Sequence, residues 1–123
     1  MSSSKKSIIR DLQSAMNDRD IERMLALFAD DYQSEQPLHP EHDFIGREAI
    51  RTTWGRRFQE YDSFNAEKLR STASGSDVWV EWDWSGIESD DITYRARGVT
   101  IFEVKGGQIR KGRIYMEPVV SVN

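Results

Sequence analysis

Glu81 and Asp83 form a pair whose types and spacing point to acid–base work. Two residues apart on an extended segment, their carboxylates share one face about 7 Å apart, a separation at which one acid and one base could act together. Arg95 and Arg97 repeat the spacing on the next segment. A hairpin that brings the two segments together turns the four charges into cross-strand ion pairs, and that reading takes precedence. Glu117, after the last apolar stretch, is placed outward or at the rim.

His39 and His42 are a second group, with Glu41 and Asp43 beside them. As a metal pair the histidines need a third ligand from one of those acids. Two loop histidines among acids also make an ordinary surface, and no metal or cofactor is assigned. His39 lies close to Gln36, and its titration range suits a general base or a polar ligand contact. His39 and Gln36 are therefore the catalytic candidates. Cysteine is absent, which excludes thiolate chemistry and fits a reducing, cytoplasmic setting. Neither a Gly-x-Ser-x-Gly elbow nor a Gly-rich phosphate loop occurs.

The chain has 123 residues, room for one domain. Residues 1–6 read as a flexible polar leader. Only 37% of residues are hydrophobic, but four Trp, four Tyr and five Phe enlarge the apolar area. With a net charge of −4 and no basic run longer than the pair Arg56-Arg57, nucleic acid is not an expected partner. No apolar run approaches the roughly 20 residues of a membrane span. The expected partner is a small apolar or aromatic molecule.

Helical spacing of Ile8, Ile9, Leu12, Ala15 and Met16 predicts a helix over 7–17. Asp20 caps a second, carrying Met24, Leu25, Leu27 and Phe28 to a stop at Asp30-Asp31. A short strand spans 32–36, and 38–45 is a loop. Gly46 opens a third helix with Ile50, Trp54, Phe58 and Tyr61 inward. Four antiparallel strands follow, separated by turns at Gly75-Ser76-Asp77, 88–91 and Gly106-Gly107. Segregated helices and strands give an α+β fold, with three N-terminal helices packed on a curved, mostly antiparallel sheet.

Setting Glu81 opposite Arg97 and Asp83 opposite Arg95 also sorts the faces. Val78, Val80, Trp82, Trp84, Tyr94, Ala96, Gly98, Thr100, Phe102, Gly112, Ile114 and Met116 then face inward. A three-residue loop, Lys105-Gly106-Gly107, keeps the last two strands in phase. Trp79, Val99, Ile101 and Tyr115 make the outer face too apolar for plain solvent, and a homodimer packed sheet to sheet would cover them. Inside, Trp54, Trp82, Trp84 and Tyr94 overfill a closed core and predict a pocket. Its apolar surface takes in Leu12, Met16, Phe58, Val80, Ile114 and Met116, and its sparse polar contacts are Ser34, Gln36, His39, Thr53 and Tyr94.

Asp20-Ile21-Glu22, Leu27-Phe28-Ala29-Asp30-Asp31 and Glu35-Gln36-Pro37 resemble the opening of ketosteroid isomerases. Gly46 to Arg51 is similar to the third helix of SnoaL-like proteins, and 81–86, 97–104 and 107–118 are similar to strands of that superfamily. The resemblance covers nearly the whole chain. It implies the cone-shaped nuclear transport factor 2-like (cystatin-like) fold, with a pocket between sheet and helices, usually in a dimer. The isomerase residues do not carry over. Its base falls at Gln36, its helical Tyr at Leu12 and its protonated Asp near Gly98, none of which does that chemistry. The Arg and Asp of the related epoxide hydrolases fall at Trp82 and Trp84, and their second Asp at Ile114. SnoaL-type cyclisation also leans on an acid at the Ile114 position. What remains is a binder, or an isomerase, cyclase or lyase without the usual Asp residues. The alternative is a non-catalytic dimeric scaffold with a filled pocket.

Overall fold

A computed structural model describes residues 5–120. Ile8, Ile9, Leu12, Ala15 and Met16 are all buried on one side of helix α1, Lys5–Asn17. Lys5 and Lys6, expected in a leader, are its first turn; the rest of that leader, 1–4, lies outside the described residues. The Asn17 side chain acts as an extra strand partner, accepting from the Ala66 N–H at 2.6 Å and donating to the Ala66 carbonyl at 3.1 Å.

Asp20 caps α2, Ile21–Leu25, by accepting from the Arg23 N–H at 3.1 Å. This helix is shorter than its apolar spacing predicts. Strand β1, Phe28–Glu35, takes over at Phe28 because the last strand offers it a parallel partner: Phe28 lies beside Ile109, whose N–H donates to the Leu27 carbonyl at 2.8 Å. Asp30 and Asp31, expected at a helix end, therefore lie on a strand. The loop after Pro37 also contains more structure than expected, a 3-10 turn at Pro40–His42 and the two-residue strand β2, Phe44–Ile45. Helix α3, Glu48–Glu60, follows, and Tyr61 begins β3, Tyr61–Ser74, rather than ending the helix.

With β4, Asp77–Glu88, β5, Thr93–Lys105, and β6, Gln108–Pro118, the strands form one six-stranded sheet in the order β2-β1-β6-β5-β4-β3. Among the described residues, only the β1–β6 pairing is parallel. The three helices pack against this curved, mostly antiparallel sheet, as expected, and Ile9, Met16, Val78, Val80, Trp82 and Ile109 sit deepest between the layers. No described helix is long and apolar enough to cross a membrane.

The expected faces are right and the expected register is not. Asp83 lies opposite Arg97, Trp82 opposite Gly98 and Trp84 opposite Ala96, a slip of two residues. The cause is the longer hairpin, which stays paired out to Ile87 and Thr93. Two residues is one full period of a strand, so every side chain keeps its face. At the next turn Lys105 pairs with Gln108, leaving a two-residue loop in which Gly106 and Gly107 have φ of 60° and 76°. Such a turn alone would put β6 out of phase. A bulge between Glu103 and Val104 restores the phase and sets Thr100 opposite Ile114.

Candidate functional site

A cavity of about 180 Å³ lies between the helices and the concave face of the sheet. Its walls include Leu12 and Met16 from α1, Trp54 from α3, and Trp82, Trp84, Tyr94, Ile114 and Met116 from the sheet. Ser34, near the end of β1, and Gln36, just after it, are among its polar groups, with Thr53 on α3. Three sequence candidates lie off this wall. Val80 is fully buried in the core. Phe58 packs behind Trp54, its ring centre 5.8 Å away. His39 sits in the loop, where its Nε2 lies 2.7 Å from Glu117 Oε1.

That contact ties the loop to the end of β6. Both partners are partly exposed, and the other imidazole nitrogen lies 3.8 Å from Glu41. The imidazole therefore holds the loop in place beside the cavity. Asp43, a candidate metal ligand, instead accepts from the Gln36 N–H at 2.6 Å. Among the described residues, no three His, Asp or Glu side chains converge as a metal site.

Trp82 and Trp84 form the aromatic floor, and their N–H groups have different fates. Trp82 Nε1 donates to Thr100 Oγ1 at 2.9 Å in the buried interior. Trp84 Nε1 is buried and has no acceptor. The Trp84 ring meets Trp54 edge to face, with centres 5.2 Å apart. Over these rings stands Arg57, which the sequence reading passed over as part of a basic pair. Its guanidinium carbon is 4.6 Å from the centre of Trp54, 5.1 Å from Tyr94 and 6.0 Å from Trp84, the geometry of a cation–π shelf. The signal was in the spacing: Arg57 is three residues after Trp54 and one before Phe58, on the stripe already assigned to the inside.

Tyr32 was missed as well, although it is two residues before Ser34 on the same strand face. Burial pushes its hydroxyl up to about 12, against the opposing hydrogen bond from Ser34. Burial likewise raises the Tyr94 hydroxyl, with Arg57 pulling the other way. Both phenols are neutral donors at physiological pH. Among the described residues, no Asp or Glu lines the cavity. Gly98, near the expected position of the isomerase acid, has no room for a side chain: a Cβ there would lie 2.0 Å from the Tyr115 carbonyl oxygen.

Residues 9–112 match the SnoaL-like domain. The chain belongs to that family. Solved structures agree on its fold, which is nuclear transport factor 2-like. IdmH, a proposed polyketide cyclase from Streptomyces antibioticus, is 17% identical, with a TM-score of 0.79 over 94% of this chain and 92% of its own. A hypothetical protein from Catenulispora acidiphila with a ketosteroid isomerase-like fold, in complex with trimethylamine, is 16% identical, with a TM-score of 0.76 over 89% and 85%. An epoxide hydrolase of M. tuberculosis is 22% identical, with a TM-score of 0.75 over 90% and 80%. No functionally curated protein matches the sequence.

Proposed function

We propose that this SnoaL-like protein binds or transforms a small apolar or aromatic molecule in the cavity, by chemistry other than ketosteroid isomerisation or epoxide hydrolysis. The observation that supports this is an aromatic-walled space of about 180 Å³ with no carboxylate on its wall among the described residues. An apolar cavity of about 150 Å³ accepts benzene, so the occupant is one ring with a small substituent, not a steroid. The trimethylamine complex of the Catenulispora protein shows a small amine on a related fold. Here the ring cluster that would receive a cation already carries Arg57.

Tryptophan fluorescence during titration with single-ring compounds tests the reading. Saturable quenching is expected, and Gln36→Ala should weaken it by about threefold to tenfold. A cavity that no such compound enters would leave the protein a scaffold. If turnover is found, an unchanged rate in His39→Ala would remove that imidazole as the base.

A homodimer through the outer sheet face belongs to the same proposal. Trp79 is 47% exposed and paired with Ile101, and Val99 is paired with Tyr115. Two adjacent apolar pairs on an open face form the kind of patch that another copy covers. Trp79→Glu should then sediment as a monomer; a mass equal to that of the unaltered protein would remove the interface.

A further inference from the structure

The cavity carries one full charge at neutral pH, and it is positive. Among the described residues its wall contains Arg57 and no Asp or Glu. No ion pair among the described residues involves Arg57. Glu60 and Glu88 line a separate outer groove with it, and neither comes within ion-pair distance. The guanidinium thus rests on aromatic faces alone, although the protein as a whole has a net charge of −4. Beside it is the one buried side-chain polar atom without a partner among the described residues, Trp84 Nε1. Two donors without acceptors, one of them charged, thus belong to side chains on the wall of the same cavity.

A buried N–H left unpaired costs about 1–3 kcal/mol, whereas a hydrogen bond to a charged group is among the stronger contacts a protein makes. Both donors are served by the same kind of ligand atom, an oxygen with negative charge. The guanidinium carbon is 6.0 Å from the centre of the Trp84 ring, so the two side chains are neighbours on the cavity wall and one small acid can meet both.

Building on the ligand reading above, we propose that the cavity selects a single-ring apolar or aromatic acid, with its acidic oxygens held between the Arg57 guanidinium and the Trp84 indole N–H. The ring lies against Trp54 and Trp82. An amine of the same size meets the like charge of Arg57 and is disfavoured. A neutral alcohol keeps the ring contacts and loses the charge-assisted bonds.

Benzoate, benzyl alcohol and benzylammonium share a ring and differ in charge, so titrating the intact protein with each separates these cases. Calorimetry should show benzoate binding about tenfold or more tighter than benzyl alcohol, with benzylammonium weakest. The Trp84 indole N–H resonance should move downfield with benzoate alone. Arg57→Met should bring benzoate down to the level of the alcohol while the alcohol's own affinity stays within about twofold; Arg57→Lys should retain the preference for the acid in part. Trp84→Phe keeps an aromatic ring without the N–H and should weaken benzoate several-fold. Equal binding of acid and alcohol overturns the charge selection and leaves the ligand reading standing, as does tightest binding of the amine. Binding of none of the three removes the ligand reading and this inference together.

Discussion

Arginine stands on both sides of β4, in opposite surroundings. On the outer face Asp83 is clamped by two guanidinium groups. Arg95 reaches both of its oxygens, at 3.2 and 2.8 Å, and Arg97 donates twice to one of them, at 3.0 and 2.9 Å. On the inner face Arg57 has rings beneath it and, among the described residues, no carboxylate within ion-pair distance. The outer cluster satisfies itself and has little capacity left for a ligand. The inner one has unused donors. Acid–base spacing drew attention to Glu81 and Asp83, yet the first pairs with Arg70 at 3.1 Å and the second with its two arginines. The groups with chemistry to offer are the ones that the fold leaves without partners.

The severest way to break this separation is at Gly98, where β5 crosses between Trp82 and Met116. Gly98→Ala forces a methyl against the Tyr115 backbone and should cost about 3 kcal/mol. The urea midpoint should fall, and the inner and outer faces should lose order together. An unchanged midpoint would mean that the close approach is not fixed.

The two floor tryptophans sharpen the comparison at somewhat smaller cost. Trp82→Phe strands the Thr100 hydroxyl, while Trp84→Phe removes a donor that has no acceptor. The first should be about 2 kcal/mol more destabilising than the second, measured by chemical denaturation without ligand. Equal losses would show that ring volume, not the hydrogen bond, sets the difference.

The smallest effect concerns the outer clamp. The Arg95 hydrogen bond, helped by Arg97, holds the Asp83 carboxyl below its ordinary value, against the opposing effect of burial. Because the folded value is depressed, the stabilisation is present above about pH 4 and is lost as pH falls through the folded value. Asp83→Asn should cost about 1 kcal/mol at neutral pH and flatten the loss of stability in acid. A steep acid limb retained in the variant would place that titration elsewhere.

Face assignment was legible in the sequence because a strand's period of two survives a register error of two. The inward set from Val78 to Met116 was therefore right while the pairing of Glu81 with Arg97 was not. Leu27 and Phe28 misled because their spacing fits a helix, and only a distant partner, Ile109, turns that segment into strand. The cavity's aromatic wall was visible in residue types. The orphaned Trp84 N–H was not, since it depends on which of two neighbouring indoles finds Thr100. Arg57 lay between the two: its helical position was readable, but its lack of a carboxylate partner needed three dimensions.

The two ends of the sheet have their own consequence. One edge, β2, is only two residues long; the other, β3, is interrupted by irregularities between Tyr61 and Ser63 and between Lys68 and Arg70, and carries Glu67, Lys68 and Arg70. Short, bent or charged edges make poor templates for a further strand. The sheet is thereby guarded against open-ended growth into aggregates, and the faces, not the edges, are left for recognition.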